Sequence, residues 1–306
     1  MDSVQTPQGS VAISGSSARR GPNNTLRLKK APNPKKEQQV FKEEGGCGPY
    51  VQRKFVEHFI QQASFYAFVK PENAERRRSP AVLLLDATRV VLRDWPHDFV
   101  HASWVCGLDD GRYEDQTEWK AKQKKYIAAQ APHTPAVAAD FWHMCAQEGV
   151  EGVVLLGEED AKAVMTAPKC GDYNVKVEQK SEQRGFTVHS VQLAGKIKHS
   201  LTLFCLAAWS VDEKPPVETF AKFRQAIWAG VSGKKPIVVT CKFGTYRTGL
   251  FLIYDIETER IEKQKKLDLD GTVKDLRMQR HHVFDEYSAY EVAIDMFLDV
   301  CKGQSK

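Results

Sequence analysis

A cysteine and an arginine stand six positions apart in the segment VVTCKFGTYRTGLF, as Cys241 and Arg247. The apolar, β-branched run before the cysteine predicts a buried strand that ends at Thr240. From Arg247 or Thr248 onward, apolar residues recur at helical spacing, and Gly244 relaxes the turn between the two elements. The segment therefore predicts a tight loop that joins the end of a strand to the start of a helix.

Such a loop is suited to bind phosphate. Its backbone N–H groups point inward beside the positive end of a helix dipole, and together they attract an anion. The same donors and Arg247 favour the thiolate of Cys241, which is an in-line nucleophile for phosphorus. The planar guanidinium fits two phosphoryl oxygens, and the Thr248 hydroxyl can donate to the sulfur once the phosphoryl group leaves. The structural alternative is a buried cysteine on a core strand followed by a surface arginine.

Composition describes an ordinary soluble protein. The chain has 306 residues, 42% of them hydrophobic, which is enough for a full core. Its longest mostly apolar stretch, LTLFCLAAW, is about half the length needed to cross a bilayer, and no secretory leader opens the chain. We therefore expect no transmembrane segment and a cytoplasmic location, with a nuclear one also open. The seven cysteines lack metal-binding spacing, so no metal is expected. We also expect no other cofactor and no specific nucleic acid partner.

Positive charge is concentrated at the N-terminus. Residues 1–36 carry seven Lys or Arg against Asp2 alone, a net +6, and the other 270 residues sum to −1. This segment is rich in Ser, Pro, Gly and Asn, and it has too few apolar residues to offset the entropy of folding. We predict a disordered basic tail over residues 1–47 and one domain over 48–303. The tail is either a solvated leader or a contact for an acidic partner or a membrane surface.

The rest of the chain alternates helices and strands irregularly, which indicates an α/β domain with a central mixed sheet. Short β-branched or aromatic runs predict strands. These runs are RVVL (89–92), YIAAQ (126–130), GVVLL (152–156), FTVHSVQL (186–193), LTLFCLAAW (201–209) and PIVVT (236–240). Apolar residues at 3.6-type spacing predict helices over 50–69, 135–148, 216–230, 248–264, 270–280 and 285–301.

Several segments, in order, resemble the tyrosine-specific branch of the protein-tyrosine phosphatase family over about residues 50–302. They are HDFVHASWV (97–105), YIAAQAPHTPAVAADFWHM (126–144), PKCGDYNV (168–175), GTVKDLRMQR (271–280) and the loop around Cys241. The resemblance implies a single α/β domain, a highly twisted mixed β-sheet flanked by helices, without a metal. It also implies hydrolysis of phosphotyrosine in proteins through a phosphocysteine. By this resemblance Cys241 is the nucleophile, and the phosphate loop comprises Lys242, Phe243, Gly244, Thr245, Tyr246 and Arg247.

The sequence departs from the family at the loops around this one. Thr240 replaces the histidine before the nucleophile, which removes a stabiliser of the thiolate. In the acid loop, AAWSVDEKPP, Trp209 matches the family, but Val211 stands where aspartate is expected. Asp212 follows one residue later and is the candidate general acid, provided that it reaches the leaving oxygen. Phe243 and Tyr246 are larger than the family's residues at their positions.

Recognition and water-positioning residues are also replaced. Ser79 stands where the family stacks a tyrosine on the substrate, and Ala81 where an aspartate grips its backbone, so selectivity for phosphotyrosine is weakened. The preceding arginines make Ser79 resemble a basophilic kinase site, or they form a solvated basic loop. The two glutamines that position water correspond to Asp285 and Ala289. Asp285 either orients water or caps the last helix.

Three hypotheses follow. The first is an active phosphatase acting on phosphotyrosine or another phosphorylated protein through Cys241, Arg247 and Asp212. The second is a weak or inactive family member, a pseudophosphatase, that binds or shields phosphoprotein through the same loop, with Thr248, Trp209 and Asp285 in supporting positions. The third is a scaffold in which the basic tail is the working part. The altered loops favour impaired turnover.

Overall fold

A nine-stranded mixed sheet forms the centre of the fold. The computed structural model describes residues 26–27, 39, 43, 63–108, 124–157, 159–206, 209, 214–215 and 217–303. The strand order in the sheet is β2-β3-β4-β10-β5-β9-β8-β7-β6. These strands are β2 (Arg89–Val91), β3 (Phe99–Cys106), β4 (Lys124–Gln130), β5 (Gly152–Leu156), β6 (Lys169–Cys170), β7 (Tyr173–Gln183), β8 (Phe186–Ala194), β9 (His199–Leu206) and β10 (Ile237–Cys241).

The middle of the sheet is parallel and buried on both faces. β10 pairs in parallel with β4 and β5, β5 pairs in parallel with β9, and the outer pairs are antiparallel. Continuous apolar runs such as the one in β5 fit strands covered on both faces, and every residue of β5 is buried. The six predicted strands and the mixed α/β sheet are confirmed.

Two long strands escaped prediction, and each for a physical reason. β3 contains polar residues, yet His101 and Ser103 are buried, because their side chains bond to Arg280. β7 is polar and largely exposed along its second half, and it is held by its antiparallel pairing with β8. β3 shows neither an apolar run nor simple alternation, and in β7 the alternation of apolar and polar residues extends only over residues 173–178.

Helices cover both faces of the sheet. They are α1 (Tyr66–Val69), α2 (Pro135–Gln147), α3 (Glu159–Met165), α4 (Val217–Gly230), α5 (Tyr246–Gln264), α6 (Leu269–Gln279) and α7 (Tyr287–Gly303), with a 3-10 turn at Pro71–Arg76. One core layer contains residues of α4, α5, α6 and α7, among them Phe220, Leu250 and Phe297. The other contains Phe141 and Trp142 of α2.

Local chemistry fixes several helix ends. α2 begins with Pro135 after Thr134, whose hydroxyl accepts a hydrogen bond from the Val137 N–H at 3.2 Å. α6 begins after Asp268, which accepts from the Gly271 N–H at 3.1 Å. Five predicted helices are confirmed within two residues at each end. Of the helix predicted over 50–69, residues 50–62 lie outside the described residues. Residues 63–65 are not helical, so this part of the prediction is wrong, and only Tyr66–Val69 form a helical turn, α1.

Part of the predicted N-terminal tail is paired. Leu26–Arg27 form a two-residue strand, β1, antiparallel to β11 (Lys266–Leu267). Within residues 1–47, only these two and Gln39 and Glu43 are described. In the described part of the chain, no helix combines the length and apolar character needed to cross a membrane.

Candidate active site

Cys241 is the last residue of β10, deep in the sheet and 3% exposed. Its carbonyl accepts hydrogen bonds from the Ala131 N–H at 2.9 Å and from the Gly244 N–H at 3.0 Å. The first bond fixes the end of β10 to the chain leaving β4, and the second closes the turn that follows. The cysteine is therefore carried by a central parallel strand, at the edge of the sheet formed by the carboxyl ends of β4, β5 and β10.

Gly244 is the one residue of the 241–247 loop with a left-handed backbone, at φ 67°. A Cβ there would lie 2.3 Å from the carbonyl oxygen of Ala129, far inside contact distance. That carbonyl also accepts a 2.9 Å hydrogen bond from the Thr240 hydroxyl. Phe243 and Tyr246 keep ordinary negative φ values, so the loop accommodates both large residues without backbone strain.

The buried guanidinium of Arg280 forms hydrogen bonds with the backbone of the 241–247 loop. Its Nη2 donates to the Phe243 carbonyl at 2.9 Å and its Nε to the Gly244 carbonyl at 3.0 Å. His101 and Ser103 of β3 contact the same guanidinium. Burial lowers the pKa of Arg280 to about 10, against the attraction of Cys241, so the group stays cationic at neutral pH. With its carbonyls turned toward Arg280, the loop keeps its N–H groups for the opposite side.

Arg280 is a residue of this site that the sequence pattern does not predict. It is the last residue of the segment GTVKDLRMQR. An arginine in a fully apolar setting is expected only where several acceptors meet it. That requirement becomes visible only when the loop carbonyls are seen beside it.

The helix after the loop begins without a side-chain cap. α5 starts at Tyr246, two residues before the predicted range of 248–264, and Thr245 makes no capping hydrogen bond. The first N–H groups of an uncapped helix are available to an anion. The Thr248 hydroxyl, in the first turn, donates to Cys241 Sγ at 3.2 Å and is buried. Strand end, loop and helix start thus form a cradle around the sulfur.

Replacing Thr248 with valine is expected to slow alkylation of Cys241 by iodoacetamide near pH 6 by about tenfold, since one hydrogen bond to a charged acceptor is lost. Mass spectrometry of the alkylated peptide measures the rate. Burial raises the pKa of Cys145 well above its usual value, so this thiol gives the unreactive baseline. Thr240→Val is the matched control, because its hydroxyl bonds to Ala129 and not to sulfur. Equal slowing in both variants would contradict a specific role for Thr248.

Arg247, the last residue of the 241–247 loop, lies beside Trp209, the first described residue of the predicted acid loop. Its Nη1 donates to the Gly157 carbonyl at 3.3 Å, and its Cζ lies 6.0 Å from the centre of the Trp209 ring. Trp209 is buried and packs edge-to-face on Phe220 of α4, with ring centres 5.4 Å apart. The Gly157 Cα faces the guanidinium closely, since a Cβ there would lie 3.2 Å from Arg247 Cζ. The structure thus brings Arg247 and Trp209 together beside the cradle.

The remaining loop residues divide by exposure. Lys242 is exposed, and its ammonium lies 5.5 Å from the centre of the Phe243 ring. Phe243 and Tyr246 are half-buried, whereas Thr245 is buried. Asp212, the candidate acid, lies outside the described residues. Across the described ranges, no group of three or more His, Cys, Asp or Glu is arranged to hold a metal ion.

The carboxylate of Asp285 contacts two side chains from the same stretch of chain, Arg277 and His282. One oxygen accepts from Arg277 Nη2 at 3.1 Å, and the other contacts His282 Nδ1. Burial works against ionisation, but the hydrogen bond to His282 and the nearby Arg277 charge lower the pKa of Asp285 below its usual value. Ala289 is buried in the core at 1% exposure. Neither position presents an amide toward the cradle.

The arginines before Ser79 are used by the fold. Arg76 donates to His97 at 2.9 Å and pairs with buried Asp140 at 3.4 Å. Arg77 donates to the Phe68 carbonyl at 2.9 Å. Arg78 donates through its side chain to the carbonyls of Ala131 and Pro132, both at 3.0 Å. These contacts fix the segment beside the cradle, and they weaken its interpretation as a kinase site, which requires accessible arginines.

Comparison with known proteins agrees with this architecture. A family model described as protein-tyrosine phosphatase matches residues 73–299. The catalytic domain of human protein tyrosine phosphatase non-receptor type 18 superposes with a TM-score of 0.69 at 18% identity, over 86% of this chain and 98% of that one. The chain belongs to the protein-tyrosine phosphatase family, whose function is phosphotyrosine hydrolysis in proteins.

Curated relatives are moderately similar in sequence. Receptor-type tyrosine-protein phosphatase eta of Homo sapiens is 26% identical over 78% of this chain. Tyrosine-protein phosphatase non-receptor type 7 of Mus musculus is 28% identical over 73% of it. The matched part spans 18% of the length of the first relative and 65% of the second.

Proposed function

We propose that this chain binds phosphotyrosine-containing proteins in the cradle, accepts the phosphoryl group on Cys241, and releases phosphate slowly. The observation that carries the proposal is the 3.2 Å contact of Thr248 Oγ1 with Cys241 Sγ, at the start of an uncapped helix. A sulfur with a hydroxyl donor and N–H groups around it is stabilised as a thiolate. The cradle therefore supports both phosphate binding and attack on phosphorus.

Each residue has a distinct part in the proposed reaction. Cys241 attacks phosphorus in line, while Arg247 and the loop N–H groups other than that of Gly244 hold the three phosphoryl oxygens and the charge that develops on them. Asp212 protonates the leaving phenolate, as the resemblance implies. Thr248 stabilises the sulfur when it leaves in the second step. Trp209 places its ring beside the guanidinium of Arg247.

Slow release follows from the residues at the two glutamine positions. Asp285 is engaged by Arg277 and His282, and Ala289 is buried. A bound phosphocysteine then lacks the amides that orient its attacking water. Because a positioned acid–base or orienting group is worth about 100-fold or more, the second step is expected to limit turnover by roughly that factor. The dephosphorylated protein would leave in the first step, and the phosphoryl group would stay on Cys241 for longer than on an efficient phosphatase.

Rapid mixing with an aryl phosphate tests this proposal. The expected trace is a burst of about one phenolate per protein, followed by a steady phase roughly 100-fold slower. A phosphotyrosine peptide serves as the second substrate, and mass spectrometry identifies the modified residue. Equally fast phases would indicate a fully competent phosphatase. The absence of a burst would contradict the proposal, and binding of the peptide without a burst would indicate an inactive family member that binds phosphoprotein.

The location of the protein, its domain boundaries and the partner of its basic tail are proposed from the sequence alone. The cytoplasmic location, the boundaries of a 48–303 domain and contact of the basic tail with an acidic partner or membrane surface rest on the sequence. The net +6 of residues 1–36 supports an acidic partner for the tail.

A further inference from the structure

A histidine and a carboxylate form a pair in the turn between α6 and α7. His282 Nδ1 contacts Asp285 Oδ2, and Arg277 Nη2 contacts the other oxygen of the same carboxylate at 3.1 Å. Since the pKa of Asp285 is lowered, the carboxylate is ionised at neutral pH and only accepts hydrogen bonds. Nδ1 of His282 therefore donates to this carboxylate, and in the neutral ring Nε2 is the nitrogen with the lone pair.

The Nε2 atom of His282 is buried and has no hydrogen-bond partner within the described ranges. The side chain as a whole is 20% exposed, so solvent reaches the ring. Its backbone is left-handed, with φ 67°, a conformation that is uncommon for residues other than glycine, although asparagine, aspartate and histidine adopt it more often than the rest. Phe284, two residues on, is also left-handed at φ 56°. Strained backbone of this kind persists where surrounding contacts enforce it, often beside functional sites.

Contacts on both sides place this turn against the cradle. Before His282, Arg280 donates to the carbonyls of Phe243 and Gly244. After it, Val283 packs so closely on α5 that a Cβ on Gly249 would lie 2.6 Å from Val283 Cγ1. Gly249 directly follows Thr248, the donor to Cys241 Sγ. His282 is thus anchored between the loop that would hold phosphate and the helix turn that holds the sulfur.

The groups around His282 leave it as the available base of this turn. Arg277, Arg280 and Asp285 are charged, and they bond to carbonyls or to one another. Burial lowers the pKa of His101 to about 3, and its ring nitrogens contact Arg280 and the Val82 carbonyl. The His281 ring packs on Phe65, and burial lowers its pKa to about 4, which makes it a weak base.

We propose that Nε2 of His282, oriented by Asp285, takes the proton from the water that hydrolyses the phosphocysteine. This inference rests on the proposed function. It concerns the slow hydrolysis of the phosphocysteine in a chain that has Asp285 and Ala289 at the two glutamine positions. The water oxygen bonds to phosphorus as the S–P bond breaks. The bonding pair returns to the Cys241 sulfur, which accepts from Thr248, and the proton passes through Nε2 to solvent as inorganic phosphate leaves.

His282→Asn separates this role from a structural one. Asparagine tolerates the left-handed backbone and keeps an N–H for Asp285, but it is not a base. We expect the burst with an aryl phosphate to keep its rate and amplitude, while the steady phase falls by about 100-fold. His281→Asn, on the neighbouring residue, is the matched control and should leave both phases unchanged.

A second variant gives a direct readout of the missing base. In His282→Gly, which also fits the left-handed backbone, added imidazole should restore the steady phase in proportion to its concentration. A steady phase of His282→Asn within twofold of the wild type would overturn the inference and leave the proposed function intact. Parallel loss of burst and steady phase would also overturn it, since His282 would then support the cradle itself. A wild type without any burst would overturn the proposed function, and this inference with it.

Discussion

Cys241→Ser is expected to abolish the burst with an aryl phosphate and to lower turnover by at least about 1,000-fold. The serine hydroxyl is far less acidic than a thiol, so it supplies no ionised nucleophile, and the residual rate comes only from binding and orientation. The cradle itself should persist, because Gly244, Arg280 and the strand pairing of β10 do not depend on the sulfur. The variant should therefore still bind a phosphotyrosine peptide.

Two measurements check this expectation. Rapid mixing gives the burst amplitude, and calorimetry gives the affinity for the peptide. Cys205→Ser is the matched control, since Cys205 is also a buried thiol on a central strand, β9. It should leave both the burst and the affinity unchanged. If Cys241→Ser hydrolysed the aryl phosphate as fast as the wild type, nucleophilic attack by Cys241 would be refuted.

Gly244→Ala is expected to lower the free energy of unfolding by at least about 3 kcal/mol and to remove phosphate binding. Two costs combine here. An alanine at φ 67° costs about 1–2 kcal/mol for its left-handed backbone. Its Cβ would also meet the Ala129 carbonyl at 2.3 Å, and that backbone belongs to the central sheet and cannot move away cheaply.

Gly233→Ala separates the two costs, because it carries the backbone cost without the steric one. Gly233 has nearly the same backbone, at φ 71°, but a Cβ there would meet nothing closer than Trp228 at 4.0 Å. Only the backbone cost of about 1–2 kcal/mol should remain in this variant. Urea unfolding of both proteins gives the difference, and phosphate protection against iodoacetamide reports on the cradle. Equal destabilisation would mean that the loop moves away from β4 without penalty.

Much of the site was predictable because its residues are neighbours in sequence. The order of strand, Cys241, Gly244, Arg247 and helix lies within one short segment, and local patterns of apolar residues and glycine determine that geometry. Most strands and helices were predictable for the same reason, since burial imposes a period on each of them. The family match over residues 73–299 confirmed the fold that these patterns implied.

Tertiary structure decided what surrounds the loop. Arg280 lies 36 residues from the Gly244 carbonyl that it holds, and His101 meets Arg280 across 179 residues, so no local pattern reports these contacts. The pairing of Asp285 with Arg277 and His282 depends on a turn with two left-handed residues, which sequence periodicity does not encode. The strand, loop and helix around Cys241 and the α/β fold class could be predicted from the sequence, because both follow from short-range pattern. The contacts of Arg280 with this loop could not, because they join segments that are far apart in the chain.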